Sequence, residues 1–249
     1  MMLAVSEIFY SLQGEGEFAG TPSVFLRLGG CNLKCIGFGN HYQNSDIIGC
    51  DSIYAANTKF SNEWIFFQNS ENVISHIQSL NPLKFDIVIT GGEPTLQFKN
   101  PILLRIISHF LQKGHRISVE SNGSVNFAFD DNLRELYFTL SVKLSNSGEP
   151  FEKRINLKAI QNIIDNAKSV AFKFVLNAKM CEDGSGIKEI KDILSNIKLK
   201  NNRIYLMPQG ISEEELDKNI QKIYPICLQE GFSLTDRIHI RIWGDKRGV

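Results

Sequence analysis

No stretch of this 249-residue chain is apolar for anything near the ~20 residues that a bilayer-spanning helix requires, so no membrane partner is expected. Neither sign of charge is in excess, with Lys+Arg and Asp+Glu at 27 each. Without a global field, nucleic acid is not expected as a partner either. The start, Met1-Met2-Leu3-Ala4-Val5-Ser6-Glu7, has no basic n-region and no long apolar h-region, so no secretory signal is visible. Cysteine is scarce and odd in number, five in all, which argues against a disulfide framework and for a cytoplasmic protein. No internal repeat or low-complexity tract stands out. What remains is apolar material for a real core, 43% of residues, at a length that one barrel-like α/β domain commonly uses.

Apolar runs alternate with segments of helical period. Strands are expected at 23–28, 85–90, 116–120, 136–142, 169–176, 203–207 and 237–243, and helices at 70–80, 101–113, 156–167, 186–197 and 212–230. Strands separated by helices of this size favour βαβ units, hence an α/β fold with a mostly parallel sheet. Ligands gather at the carboxyl ends of such strands. Four polar segments fall there: Thr90-Gly91-Gly92-Glu93-Pro94, Glu120-Ser121-Asn122-Gly123, Ser141-Val142-Lys143 and Met207-Pro208-Gln209-Gly210. That shared placement argues for one site. The segment 237–243 alternates strictly, so Arg237, His239, Arg241 and Trp243 are expected on one strand face, lining a cavity or merely solvated. Asn40-His41-Tyr42-Gln43-Asn44-Ser45-Asp46 reads as loop, and Trp64-Ile65-Phe66-Phe67 as a short strand or packed turn.

Cys31, Cys35 and Cys50 lie in the first fifth of the chain, the first two directly after the apolar run 24–28. Three thiolates can hold three irons of a [4Fe–4S] cluster and leave the fourth open to a small molecule. The competing reading is a structural zinc site, with His41 as the fourth ligand, or plain thiols. Cys181 and Cys227 lie far away and read as ordinary thiols. Gly91-Gly92-Glu93-Pro94 lets backbone approach a ligand closely, but alone it is also a tight turn with Glu93 in the first turn of a helix. The glycines of Gln13-Gly14-Glu15-Gly16 lack the G-x-G-x-x-G spacing and strand-to-helix setting of a phosphate loop. Arg27 interrupts an apolar strand and needs a carboxylate, either a ligand's or a structural partner's.

Cys-x3-Cys-x2-Cys after a first strand is the cluster motif of the radical S-adenosylmethionine (SAM) enzymes, and Cys31 and Cys35 resemble its first two members. The gap to Cys50 holds fourteen residues, 36–49, which reads as a twelve-residue insertion. Cys50-Asp51-Ser52 is similar to the Cys-Asp-Thr that closes the motif in the 7-carboxy-7-deazaguanine synthases. Ser11-Leu12-Gln13-Gly14-Glu15-Gly16 resembles that family's amino-terminal signature, and similar segments follow in order from Ser11 to Gly248.

The resemblance implies a single radical SAM domain over 1–249, an open (β/α) barrel, that converts 6-carboxy-5,6,7,8-tetrahydropterin to 7-carboxy-7-deazaguanine with loss of ammonia, toward queuosine and related deazapurines. It implies Cys31, Cys35 and Cys50 as ligands of the [4Fe–4S] cluster and Ser52 as a Mg²⁺ ligand. Leu12, Gln13, Gly14, Glu15, Arg27, Thr90, His239 and the Val249 carboxylate are implied for the pterin. Gly92, Glu93, Ser141, Val142, Lys143, Met207, Pro208, Gln209 and Gly210 are implied for SAM. A homodimer and a flavodoxin or ferredoxin as electron donor are implied as well. The rivals are a glycyl-radical-enzyme activase and a non-catalytic metal-binding module. No residue stands out as a general base.

Overall fold

The computed structural model describes residues 1–43, 45–81 and 83–249, so Asn44 of the expected loop lies outside the described residues. The described residues form eleven strands: β1 (Leu3–Leu12), β2 (Pro22–Leu28), β3 (Asn40–His41), β4 (Ile48–Gly49), β5 (Ile65–Phe67), β6 (Asp86–Gly91), β7 (Ile117–Ser121), β8 (Tyr137–Leu140), β9 (Ser169–Leu176), β10 (Ile204–Pro208) and β11 (Ser233–Leu234). Nine of them make one sheet in the order β11-β10-β9-β8-β7-β6-β2-β1-β5. From β2 to β11 each neighbouring pair is parallel. β1 runs antiparallel to β2, and β5 antiparallel to β1. This is the expected α/β architecture, an open barrel with a mostly parallel sheet.

Period-two alternation divides each strand between two environments. Val24, Leu26, Leu28, Ile87, Ile89, Val119, Phe138, Leu140, Phe172, Phe174 and Leu206 join the core formed with the helices Ser70–Leu80, Pro101–Gln112, Leu157–Asn166 and Ser185–Ser195. Those helices supply Val73, Ile77, Leu103, Ile106, Phe110, Ile160, Ile163 and Ile190 at helical spacing. Their starts follow from capping: the side chains of Asn69, Asn100 and Asn156 accept backbone N–H groups of Asn72, Ile102 and Ala159. The alternate strand positions, including Phe25, Arg27, Thr90, Glu120, Lys173, Val175 and Met207, face a cavity instead.

Two expectations are corrected. β1 is unanticipated because a bulge between Val5 and Glu7 throws its alternation out of phase. The segment 237–243 is a helix, Ile238–Trp243, and not a strand. β11 already occupies the sheet edge beside β10, so the segment has no strand to pair with. Arg237 and Arg241, four apart, bond into neighbouring segments, and Ile240 alone of the three isoleucines is buried.

The 36–49 segment forms a short turn, Ile36–Phe38, and the β3–β4 hairpin. Gly37 lies flush against the 146–148 backbone, where a Cβ would stand 2.3 Å from the carbonyl oxygen of Asn146. Tyr42 packs against Tyr54 and Phe60.

Candidate active site

One cavity of about 420 Å³ opens at the carboxyl ends of the parallel strands. At one end lie Cys31, Cys35 and Cys50. Their loop interlocks with the turn after β6: Glu93 N–H donates to Gly30 O (2.8 Å) and Gly92 N–H to Leu28 O (3.2 Å). A Cβ on Gly92 would stand 2.2 Å from Gly30 O, and one on Gly91 2.1 Å from Leu28 O, so both glycines are needed for the approach. Burial pushes the Cys31 thiol up to about 12 and raises Cys35 and Cys50 as well, with Lys143 pulling the other way in each case. Neutral thiols of this kind become ligands when an incoming metal centre displaces their protons, which are released.

Among the described residues, no three His, Cys, Asp or Glu side chains converge on a point where a single ion would sit. A cluster needs no such point, since each thiolate takes a different iron. His41, the zinc alternative, turns its Nδ1 to Ser45 O (3.1 Å).

The other end, which Asp51 joins to the cysteine loop, is dense in charge. Glu15 pairs with Lys173 and, at 2.9 Å, with Arg237 Nε. Arg237 also donates to Asp51 Oδ2 (2.5 Å) and to Gly210 O (2.6 Å). Burial opposes ionisation of Glu15, yet Lys173 and Arg237 outweigh it and hold the carboxyl far below its usual range. Asp51 is lowered likewise, burial being outweighed by Arg237. His239 is lowered by burial and by Arg237, so its ring is neutral at neutral pH. It approaches the Gln13-Gly14-Glu15 segment so closely that a Cβ on Gly14 would stand 2.1 Å from its Nδ1. Ile238 N–H donates to Gly14 O (2.9 Å) and Gly16 N–H to Thr235 Oγ1 (2.8 Å), which docks the amino-terminal signature on the carboxyl-terminal segment.

Arg27 is bound by Glu7 (Nε to Oε1, 2.6 Å) and reaches Ser52 Oγ (3.4 Å). Ser52 in turn donates to Asp51 Oδ1 (3.3 Å). Thr90 and Gln13 both donate to Glu120, at 2.8 and 3.2 Å. The residues 245–249 line the cavity too, held by Arg247, which pairs with Glu7 (3.2 Å) and stacks 3.7 Å over the Tyr54 ring.

Of the residues singled out from sequence, Cys31, Cys35, Cys50, Ser52, Leu12, Gln13, Gly14, Glu15, Arg27, Thr90, Gly92, Ser141, Lys143, Met207, Pro208, Gln209, Gly210, His239 and Val249 all line this cavity. Glu93 and Val142 do not. Glu93 is 1% exposed and accepts from Thr95, Ser121 Oγ (2.8 Å) and Asn122 N–H (2.7 Å), so its carboxylate fastens the turn to β7. Val142 packs in the core. Sequence reasoning passed over Lys173, Glu7, Tyr54 and Arg247. Lys173 carried the signal that exposed Arg27, a charge inside an apolar strand. The other three gain their meaning only from contacts far along the chain.

A family model described as a 4Fe-4S single cluster domain matches residues 12–164. The chain is 32% identical over 260 residues to the 7-carboxy-7-deazaguanine synthase of Clostridium acetobutylicum, with 100% of both chains covered. It is 31% identical over 258 residues to that of Leptospira interrogans, covering 99% of this chain and 98% of the relative. With that of Rhodopirellula baltica it shares 29% identity over 262 residues, covering 99% and 89%. The crystal structure of QueE from Escherichia coli has the same fold, with TM-score 0.64 at 23% identity over 96% of this chain and 95% of that one. No helix among the described residues is long and apolar enough to cross a membrane.

Proposed function

The chain belongs to the 7-carboxy-7-deazaguanine synthase family, and on that premise we propose that it converts 6-carboxy-5,6,7,8-tetrahydropterin to 7-carboxy-7-deazaguanine with release of ammonia. It does so as one radical SAM domain carrying an insertion at 36–49 in its cluster loop. The observation that carries this reading is the single cavity that brings the three thiols, the Gly91-Gly92 turn and the Gln13-Gly14-Glu15 segment together.

Cys31, Cys35 and Cys50 would hold the cluster. Gly92, Ser141, Lys143 and the 207–210 segment would hold SAM, with Glu93 acting from behind by fixing the turn. Bound together, cluster and SAM supply one-electron hydrogen-abstraction chemistry. The protein's own residues bind and orient. Glu15 spends one lone pair of each oxygen on Lys173 and Arg237. A carboxylate has about four acceptor sites, so Glu15 still accepts from the N–H groups of an aminopyrimidinone. Arg27, presented by Glu7, offers its remaining N–H groups to the substrate carboxylate. Ser52, with Asp51 beside it, would ligate Mg²⁺ together with substrate oxygens and water. Neutral His239 and the tail to Val249 close the pocket and exclude water. A homodimer and a flavodoxin or ferredoxin donor belong to the same proposal, as does a cytoplasmic setting.

The test is mass spectrometry on anaerobically reconstituted protein supplied with reductant, SAM, Mg²⁺ and the pterin. Appearance of 7-carboxy-7-deazaguanine is the expected result. SAM cleavage without that product would reject the substrate and keep the radical chemistry. One zinc and no sulfide in the protein would reject both.

A further inference from the structure

Cys35 is one of two non-glycine residues with left-handed backbone among those described (φ 49, ψ 44). A side-chain-bearing residue is strained there and stays only when its surroundings hold it. The holding group comes from far along the chain: Glu149 Oε1 accepts the backbone N–H of Lys34 (2.5 Å) and of Cys35 (2.9 Å). Two successive N–H groups converging on one anion form a nest, a feature that many iron–sulfur sites turn toward the cluster. In this chain a carboxylate fills it.

Glu149 is itself fixed. Its carbonyl accepts from Arg154 Nε (3.1 Å), and its N–H donates to Ser147 Oγ (3.4 Å). The preceding Gly148, at φ 72, lies against the Cys35 turn, where a Cβ would stand 2.9 Å from Gly37 N. Arg154, at the end of the helix Phe151–Arg154, gives its ion pair to Glu189 (2.6 Å) and not to the Glu149 carboxylate.

We propose that Glu149 is a positioning residue for the iron–sulfur cluster: by filling the Lys34–Cys35 nest it holds Cys35 in its ligating conformation and keeps the cluster's reduction potential low. The proposal rests on Cys35 being a cluster ligand. Reduction adds negative charge, which a fixed carboxylate alongside disfavours. Added negative charge beside a cluster lowers its potential.

A residue that only tied two loops together would act through its hydrogen bonds, not its charge. Glu149→Gln separates the two, because an amide oxygen accepts the same N–H groups without the charge. The experiment is an EPR-monitored redox titration of anaerobically reconstituted full-length wild type, Glu149→Gln and Glu149→Ala, with iron and sulfide analysis. Glu149→Gln is expected to load as the wild type does. Its reduction equilibrium should move about tenfold toward the reduced form, about 59 mV for one electron. Glu149→Ala should lose part of its iron and sulfide. An unmoved Glu149→Gln midpoint in a fully loaded protein overturns the proposal. Should Glu149→Gln load poorly, Glu149→Asp decides: recovered loading with the wild-type midpoint supports the proposal, and loading no better than Glu149→Ala overturns it. A wild type without sulfide, or a Cys35→Ala protein that loads normally, overturns the ligand reading and this proposal together.

Discussion

The two ends of the cavity are built by opposite means. At the cysteine end the shape is set by main chain: Gly91 and Gly92 interlock with the 28–30 backbone, and the thiols are neutral. At the other end the shape is set by charges drawn from distant segments, Glu15 from the amino terminus, Asp51 from the cluster loop, Lys173 from β9 and Arg237 from near the carboxyl terminus. A metal cluster needs ligands that are not already bonded and walls that leave room for it. A polar heterocycle needs donors and acceptors oriented before it arrives. The first end is therefore sensitive to added volume and the second to removed charge.

The largest effect that breaks this contrast is at the proposed cluster ligands. Cys35→Ala should take iron and sulfide content after reconstitution to background, because two thiols cannot hold a site-differentiated cluster. Next is Arg237→Gln, which removes the guanidinium from the buried Glu15 pair, leaves Glu15 with Lys173 alone and strips Asp51 of its closest cation. Loss of one partner of a buried pair costs about 3–5 kcal/mol, to be read from urea unfolding, with a higher KM for the pterin.

Gly92→Ala probes the other end by volume. Displacing Gly30 should cost about 1–3 kcal/mol in the same assay, and cluster loading should fall while KM for the pterin in the loaded fraction stays near its original value.

The pH dependence sharpens the same contrast. Glu15 and Asp51 are depressed in the folded state, so the unfolded chain takes up protons first as pH falls below the ordinary glutamate value of 4.5. Their stabilisation is present above that pH and lost progressively below it. Wild type should therefore lose stability on acidification more steeply than Arg237→Gln, and the gap between their unfolding free energies should narrow as pH falls. Equal slopes would mean that Arg237 does not set these carboxylates. The smallest expected effect is Cys181→Ala, remote from the cavity: its cluster loading should match the wild type.

Legibility in the sequence follows the same division. Six of the seven expected strands and all five expected helices are present, since a parallel sheet covered by helices forces apolar runs and helical periods that local pattern displays. The exceptions lie at the sheet's antiparallel edge and at the carboxyl terminus. β1 is masked by its bulge. The 237–243 alternation fits a strand as well as a short helix, and only the prior occupation of the sheet edge by β11 decides between them. His239 nonetheless reaches the pocket, by a geometry other than the expected one.

The sequence by itself pointed to the three cysteines, the glycine turns and the strand ends as the place to look, because apolar runs, glycine pairs and their flanking residues are short-range patterns. Tertiary structure alone decided that Glu93 and Val142 turn away from the cavity, that Glu149 sits in the Cys35 nest, and that Arg237 joins Glu15, Asp51 and Gly210. Those pairings span up to 222 positions of sequence. A buried charge must find an opposite one wherever the fold brings it, and no local pattern records which partner that is.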